Sequence, residues 1–469
     1  MYNKIYTKKK QTRKECCCTL ALLYNEESVF GRLFLFFKNY FVSVSSPTAE
    51  TLILFTISML VMESANSVRS LYKHFFCKIT CKSLTAVYHA LSYAKVDCYR
   101  LMNVSASLAI KTIPDKLSLQ PVFICIDDTM VEKAGTKFDG VSKLFDHAAH
   151  NGSNYLNGHC FVSLTLCVPV WKDGKSQISY LPVSLGYRMW NKDKTKLQLA
   201  AGMVRQIMPE LSSKRNVIIL CDSWYAKSDI FDLTSEYDNL DIVCNIRHDT
   251  VLYDLPPEKT GKRGRPAIRG ERLSLDDFAL TDEKIGDYYI SAREVVTNYL
   301  KGEPMQAFVT STEKSGGSRR LFLSTVCVAR LQIFCAWQET YPLNHTGSDW
   351  MDYIPLFCYS FRWNIEVGYY EQKTFWSLCK YMVRSHHGIE MMVNLINIAY
   401  SGMKLIPYFD ESFAKYKYES PQEFRFELSE QIREQVFYAT LVDSVETGIK
   451  SKIVDTWLKI KASTASSGY

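Results

Sequence analysis

The stretch PVFICIDD at residues 121–128 is a short apolar run that begins at a proline and ends in two acids. Its β-branched and aromatic residues, which lack helical spacing, are typical of a strand buried on both faces. NVIILCD at 216–222 and DIVCNIR at 241–247 have the same character. Together the three runs predict the centre of a buried sheet.

Two longer apolar runs lie between the first and second of these segments. CFVSLTLCVPVW at 160–171 and ISYLPVSLGYRMW at 178–190 predict a hairpin closed by residues 172–177. Residues 193–210 and about 226–237 have the apolar spacing of helices. Three consecutive strands followed by helix, strand, helix and strand are typical of a mixed sheet flanked by helices. The predicted fold class is therefore α/β.

Changes of pattern along the chain predict five regions. They are a helical domain with a basic tint at 1–118, the first part of the core at 119–249, a β-rich insertion at 250–353, a return to the core at 354–405, and a helical C-terminal region at 406–469. In the first region, helical spacing is clearest at 50–65, 66–78 and 83–94. Small helical domains with basic faces often bind DNA, although no helix-turn-helix signature is clear enough to name here.

The composition of the 469 residues excludes global disorder, since 47% are hydrophobic and 13% are aromatic. The net charge of +7, from 56 basic and 49 acidic residues, permits a polyanionic partner. The 15 cysteines include no pair of C-x-x-C units, and several lie in apolar runs, which predicts free thiols in a reducing compartment. The apolar run at 51–62 is shorter than the ~20 residues of a membrane span, so no membrane partner is predicted.

Four acids carry the first chemical prediction. Asp127 and Asp128 end the first apolar run, Asp222 ends another, and Glu366 lies on a late helix. Open sheets bind ligands at the carboxyl ends of their strands, where converging carboxylates offer the hard oxygen donors that magnesium or manganese prefers. Two such ions can activate a water or a 3′ hydroxyl at a phosphodiester. The alternative for each acid is a turn or cap residue, and Asp222 before Ser223 is a good helix entry.

The late helix is predicted in LFCYSFRWNIEVGYYEQKTFW at 356–376, entered through Pro355. At about 100° per residue, four of its side chains fall within a stripe of about 60°. They are Tyr359, Arg362, Glu366 and Lys373. Five others are predicted to form the buried face: Phe357, Phe361, Ile365, Gly368 and Phe375. A carboxylate flanked by cations suits a metal ion beside a phosphate, and the alternative is an amphipathic helix with solvated charges.

Three blocks together resemble a known family. IDDT at 126–129, ILCDSWYA at 219–226 and Y-x2-R-x3-E-x6-K at 359–373 are similar to the blocks of DDE transposases that bear the YREK signature. These are bacterial insertion-sequence enzymes with an RNase H-like core and a β-rich insertion between the second Asp and the Glu. The resemblance covers about 120–405 and implies an RNase H-like mixed sheet flanked by helices.

The resemblance implies that Asp128, Asp222 and Glu366 are the catalytic triad and bind two Mg2+ or Mn2+ ions. It favours Asp128 over Asp127 because the family's Asp is followed by Thr, as Thr129 follows Asp128. Asp127 is then expected to support the site through a basic neighbour on the adjoining layer.

The same resemblance implies that Tyr359, Arg362 and Lys373 hold the DNA end, with the two cations on phosphate. It implies a transposase that cleaves double-stranded DNA at inverted terminal repeats and transfers the freed strand to target DNA. The N-terminal domain would bind the repeats. The chain would act as a homodimer on DNA, in the cytoplasm and associated with the nucleoid. Three alternatives stay open: an RNase H-like nuclease without transposition, a non-catalytic DNA-binding protein on the same fold, and a membrane-associated protein that uses residues 28–62.

Three weaker signals have alternatives of their own. Arg265 in GKRGRP at 261–266 suits insertion into a minor groove, and the alternative is a solvated linker. Trp337 and Trp350 in the insertion could stack on an unpaired base, with core packing as the alternative. His147, His150 and His159 are expected to be ordinary loop residues, since no cysteine or acid lies at zinc-ligand spacing.

Overall fold

The computed structural model describes residues 23–62, 67–145, 154–172, 177–258, 267–300, 302–315, 317–327 and 353–465. These residues fall into two compact units, which divide after Val96 and after Glu371. The first unit contains both ends of the described chain, and the second contains the sheet. None of the described helices is long and apolar enough to cross a bilayer.

The N-terminal part of the first unit is helical. Its helices are α1 Val29–Lys38, α2 Ser46–Val61, α3 in the three short pieces Val68–Leu71, Tyr72–Phe76 and Cys77–Ile79, and α4 Leu84–Tyr93. Serines cap three of them, because the hydroxyls of Ser28, Ser67 and Ser83 each accept an N–H from the first turn. The three helices predicted between residues 50 and 94 are therefore confirmed, with ends shifted by a few residues.

The second unit begins with a helix and continues into a sheet of eleven described strands. In chain order its elements are α5 Cys98–Lys111, β1 Val122–Glu132, β2 Ser142–Phe145, β3 Tyr155–Lys172, β4 Gln177–Met189, α6 Lys196–Ile207, β5 Val217–Cys221, α7 Ser228–Phe231, α8 Leu233–Glu236, β6 Leu240–Ile246, β7 Leu252–Tyr253, β8 Arg272–Leu273, β9 Tyr289–Val296, β10 Pro304–Ser311 and β11 Arg320–Ser324. The five predicted core strands and the helix at 193–210 are confirmed, and β2 was not predicted.

The order β4-β3-β1-β5-β6 forms the centre of the sheet. β1, β3 and β4 pair antiparallel, whereas β5 runs parallel to both β1 and β6. This mixed sheet, flanked by helices, confirms the predicted RNase H-like α/β fold class. β11 then pairs antiparallel with β6 and is followed by β10 and β9, so the described strands of the insertion continue the same sheet.

The sequence predicted that the two adjacent acids end their strand, and this prediction was wrong. β1 continues past Asp128 to Glu132, because its antiparallel partner β3 pairs with it as far as Gly158. The parallel partner β5 stops earlier, where Cys221 pairs with Ile126. Asp127 is therefore the first residue of β1 beyond its parallel neighbour, where one edge of the strand is open to side chains.

The late helix is also not a single α-helix. α9 Ile354–Tyr359 and α10 Trp363–Phe375 are joined by a 3-10 turn, Ser360–Arg362. The carbonyl of Phe361 accepts hydrogen bonds from Asn364 Nδ2 at 2.9 Å and from Cys125 Sγ at 3.4 Å. These side-chain partners compete with the regular helical bonding of that carbonyl. Phe375, predicted on the buried face, is 41% exposed.

Two long helices complete the first unit: α11 His386–Phe409 and α12 Pro421–Ala465. Arg425 of α12 is buried and donates to the carbonyls of Met59, Leu60 and Met62, where α2 ends. It thereby satisfies acceptors that a helix C-terminus leaves open. From Lys404 to Ala465 the described chain is mostly helical.

The described cysteines are free thiols, as predicted. Those in the core strands are buried: Cys125, Cys160, Cys167, Cys221 and Cys244.

Candidate active site

The two acids of β1 lie on opposite faces of the sheet, because successive side chains of a strand alternate. On the face of Asp127, Phe123 stacks on Phe361 with ring centroids 4.9 Å apart. Further along the same face, Asp127 Oδ2 lies 3.2 Å from Nη1 of Arg362. Asp127 therefore faces the turn that leads into α10.

Glu366 lies one helical turn after Arg362 and shares its guanidinium. Both terminal nitrogens of Arg362 lie 3.4 Å from Glu366 Oε1. The side chains of Arg362 and Asp127 are largely buried, at 14% and 15% exposure, whereas that of Glu366 is 38% exposed. One arginine thus links an acid of β1 to the acid of α10, across a site open to solvent on the Glu366 side.

Asp222 follows β5 directly and comes level with Asp127. The last parallel partners are Ile126 and Cys221, so the next residues along both strands are the two aspartates. Asp222 Oδ1 accepts N–H groups from Trp224 at 3.0 Å and from Tyr225 at 3.3 Å. The capping alternative is correct in this local sense, although the next helix begins only at Ser228.

The three carboxylates interact unfavourably. Burial raises the pKa of Asp127 well above its usual range, and the negative charges of Glu366 and Asp222 raise it further. The N–H of Asp128 and the Arg362 guanidinium oppose this rise in pKa only in part. Burial also raises the pKa of Asp222. A cation placed among these acids would relieve both the repulsion and the cost of burial.

The donor chemistry of the site fits a divalent cation, since carboxylate oxygens are the preferred ligands of magnesium and manganese. In the described part of the chain, however, no three His, Cys, Asp or Glu side chains are already arranged around one metal position. Arg362 instead holds Asp127 and Glu366 through its own charge. Metal binding would therefore require Arg362 to turn away from at least one of the two acids.

Asp128 belongs to a different cluster on the other face of β1. Its Oδ2 lies 2.7 Å from Lys196 Nζ at the start of α6, and its Oδ1 accepts from the hydroxyl of Tyr225 at 3.0 Å. Cys160 Sγ lies 3.0 Å from the same carboxylate. Asp128 is thus satisfied by three side chains that sequence reasoning did not identify. The sequence favoured Asp128 for the side of Glu366, whereas in the structure Asp127 lies beside Arg362 and Glu366 and Asp128 pairs with Lys196.

The remaining predicted site residues have different positions. Tyr359 packs edge-on against Phe322, with centroids 5.0 Å apart, and its ring lies 5.9 Å from Arg362 Cζ. Lys373 lies in the last turn of α10 and belongs to the first compact unit. His159 lies on β3 and not in a loop, and it is buried, with Nε2 3.0 Å from the carbonyl oxygen of Asp139.

Five residues considered from the sequence lie outside the described residues: His147, His150, Arg265, Trp337 and Trp350.

Comparison with known proteins gives one family. A family model described as DDE superfamily endonuclease matches residues 40–285, just over half of the chain. The matched range includes Asp127, Asp128 and Asp222 and ends before Glu366. A comparison with curated proteins finds no match.

Proposed function

We propose that this chain, which belongs to the DDE superfamily of endonucleases, is a transposase of the YREK-signature class. It cuts DNA at the inverted terminal repeats of an insertion sequence and joins the freed 3′ ends to target DNA. The observation that carries the proposal is the Asp127–Arg362–Glu366 linkage beside Asp222. This linkage joins Asp127 of β1 to the arginine of the turn before α10 and to Glu366 of α10, and Asp222 follows the parallel strand β5 level with Asp127.

For the catalytic carboxylates we propose Asp127, Asp222 and Glu366, with Asp127 in place of the Asp128 expected from the sequence. Two observations support Asp127: its contact with Arg362 and the pKa effect of both other acids upon it. Asp128 instead has Lys196, Tyr225 and Cys160 as partners. A pair of Mg2+ or Mn2+ ions held by the three carboxylates would supply Lewis-acid activation of the attacking oxygen and neutralise charge on the leaving oxygen.

Arg362 is proposed to have two states. Without metal and DNA, its guanidinium neutralises Asp127 and Glu366 and so stabilises a cluster of acids. When cations take over that task, the guanidinium is free to bind a DNA phosphate, which it can contact through two parallel hydrogen bonds. Tyr359 is proposed to contact the guanidinium in the first state, since its ring centroid lies 5.9 Å from the guanidinium carbon.

Several parts of the proposal extend beyond the carboxylates. Lys373 is proposed to bind phosphate from the last turn of α10, and Arg265 to reach a minor groove from the 261–266 segment. The N-terminal helices are proposed to bind the terminal repeats. Two copies of the chain are proposed to assemble on the DNA ends.

The deciding experiment uses the DNA that flanks the chain's own gene, which should contain matching inverted repeats. Purified protein with Mg2+ should nick that DNA to leave 3′ hydroxyls and should join those ends to a target plasmid. Glu366→Gln should bind the same DNA and cut at least about 100-fold more slowly, since it removes a metal ligand. Glu371→Gln, an acid on the same helix outside the stripe, is the matched control and should cut normally.

Cutting by Glu366→Gln at the wild-type rate would refute the assignment of Glu366. Cutting without joining would identify the nuclease alternative, and DNA binding without any cutting would identify the non-catalytic one.

A further inference from the structure

The loop that contains Asp222 is tied to the opposite face of β1. Asp222 follows the last residue of β5, and the next helix begins at Ser228. Two backbone N–H groups, those of Trp224 and Tyr225, donate to Asp222 Oδ1 at 3.0 and 3.3 Å. The position of the Asp222 carboxylate therefore depends on what fixes these two residues.

Tyr225 contacts Asp128 through its side chain. The side chain is fully buried, and its hydroxyl donates to Asp128 Oδ1 at 3.0 Å. Burial raises the pKa of Tyr225 well above its usual range, and the negative charge of Asp128 raises it further, so the hydroxyl keeps its proton and remains a donor. One residue thus donates its backbone N–H to Asp222 and its hydroxyl to Asp128.

Trp224 is connected to the same place through its ring. The ring centroid lies 5.6 Å from Lys196 Nζ, within the range of a cation–π contact. Lys196 Nζ also lies 2.7 Å from Asp128 Oδ2, with the two side chains only 16% and 12% exposed. We call Lys196 and Asp128 the support pair. Both N–H donors to Asp222 therefore belong to residues whose side chains contact the support pair.

Regular secondary structure holds the support pair in place. Asp128 lies within β1, which pairs with β3 on both sides of that position. Lys196 is the first residue of α6, whose start is fixed by a capping box. In this box the N–H of Gln198 donates to Thr195 Oγ1 at 3.0 Å, and the N–H of Thr195 donates to Gln198 Oε1 at 3.1 Å. The support pair thus gives the loop after β5 a fixed point of attachment.

We propose that the support pair, acting through Trp224 and Tyr225, positions the carboxylate of Asp222 for metal binding. The inference rests on the proposed function, in which Asp222 is one of the metal-binding carboxylates. It makes Lys196, Asp128 and Tyr225 positioning residues on the face of β1 that does not meet Glu366. Replacing the outer partners of a metal ligand typically costs about 10- to 100-fold in metal affinity or activity.

The first measurement needs neither metal nor DNA. Amide hydrogen exchange of residues 222–226 is followed by mass spectrometry on the full chain in EDTA. Tyr225→Phe removes the hydroxyl and keeps the ring, whereas Lys196→Met removes the charge and keeps most of the stem. Each should speed exchange of the Trp224 and Tyr225 amides about tenfold, because the loop opens more readily without its attachment. Lys196→Arg keeps the charge and should restore most of the protection.

The second measurement is the affinity for Mn2+ in the absence of DNA, obtained from the electron paramagnetic resonance of the free ion. Tyr225→Phe and Lys196→Met should each weaken Mn2+ binding about tenfold. A merely structural role would lower the thermal stability of the variants and leave their Mn2+ affinity unchanged. Thermal unfolding of every variant therefore accompanies the titrations.

Two matched variants remove the same chemical groups elsewhere in the second unit. Tyr180→Phe removes the hydroxyl of another buried tyrosine, which donates to the carbonyl of Pro121 just before β1. Arg205→Met removes another cation of α6, one that pairs with Glu236. Neither variant should change the exchange of residues 222–226 or the Mn2+ affinity.

Unchanged amide exchange in both Tyr225→Phe and Lys196→Met would overturn the inference. Faster exchange at wild-type Mn2+ affinity would overturn it as well, since the support pair would then only stabilise the loop. A wild-type protein that binds no Mn2+ would refute the proposed metal site itself, and the inference would fail with it. Wild-type Mn2+ affinity in every variant would refute the inference alone, so the two failures can be told apart.

Discussion

Arg362 Nη1 lies 3.2 Å from Asp127 Oδ2, although the two residues are 235 positions apart in the chain. This ion pair joins the central strand of the sheet to the turn before α10. It also fixes which face of β1 meets the helix that contains Glu366. Most of the chemistry proposed for this protein depends on that choice of face.

The first prediction separates the two acids of β1. Asp127→Asn should fold normally and lose DNA cleavage, because it removes a carboxylate that faces Glu366 and Asp222. Asp128→Asn should keep measurable cleavage and lose about 2 kcal/mol of unfolding free energy, because Lys196 loses its charged partner. Nicking assays and chemical denaturation measure the two effects. A well-folded but inactive Asp128→Asn beside an active Asp127→Asn would restore the assignment made from the sequence.

The second prediction concerns pH and the metal-free fold. Burial and two neighbouring acids raise the pKa of Asp127 in the folded state, so the folded protein holds its proton more tightly than the unfolded chain. Its contribution to the free energy of unfolding is therefore greatest below the ordinary carboxyl pKa of about 4 and is lost as pH rises through the raised value. In EDTA, Asp127→Asn should show a smaller loss of stability than wild type over this window. Parallel stability curves for the two proteins would contradict the prediction.

The third prediction tests the cations of the YREK stripe. Arg362→Ala and Lys373→Ala should each weaken binding to a terminal-repeat duplex and reduce the salt slope by about 0.9, the value for one phosphate contact. Arg362→Lys should recover the charge but only part of the affinity, because lysine lacks the planar fork. Electrophoretic mobility shifts at several salt concentrations supply the slopes. Lys214→Ala, which removes an exposed cation before β5, is the control. An unchanged salt slope in both alanine variants would show that Arg362 and Lys373 do not contact DNA phosphates.

The fourth prediction concerns stability in the first unit. Arg425 is 7% exposed, stacks on Trp376, and donates to three carbonyls at the end of α2. Arg425→Ala should therefore reduce the free energy of unfolding by about 3 kcal/mol, since it leaves buried acceptors unsatisfied. Lys415→Ala, which removes an exposed cation with a surface ion pair, should leave the free energy of unfolding almost unchanged. Similar losses in the two variants would show that the buried hydrogen bonds of Arg425 contribute little.

The fifth prediction concerns Arg265, which lies outside the described residues. If it enters a minor groove, a small minor-groove ligand should compete with DNA binding by the wild type and not by Arg265→Ala. Fluorescence anisotropy with and without the ligand makes the comparison. Equal competition for both proteins would identify the 261–266 segment as a linker.

Much of the fold could be predicted from local pattern. Apolar runs such as 216–222 and 241–247 became β5 and β6, since a strand covered on both faces needs apolar residues throughout. The helices of the first unit followed from apolar spacing, and the structure adds serine caps such as Ser83. β2 was missed because its four residues, from Ser142 to Phe145, are too few to form a recognisable pattern.

The positions of the site acids could be predicted only in part. The spacing predicted that Arg362 and Glu366 are neighbours, because residues four apart lie on the same face of a helix. In the structure the two side chains are in contact. The sequence also marked Asp222 by its place after an apolar run. What it determined by itself was therefore the set of candidate acids and the elements that present them.

Only the tertiary structure decided which of the two acids, Asp127 or Asp128, lies on the face of β1 that meets Arg362. The run from Val122 to Ile126 is apolar on both faces, so its periodicity contains no information about which face meets α10. The decision comes from contacts distant in sequence, namely the stacking of Phe123 on Phe361 and the pairing of Lys196 with Asp128. In a strand buried on both sides, the hydrophobic effect is indifferent to the orientation of a given residue, and specific packing and charge pairs select it.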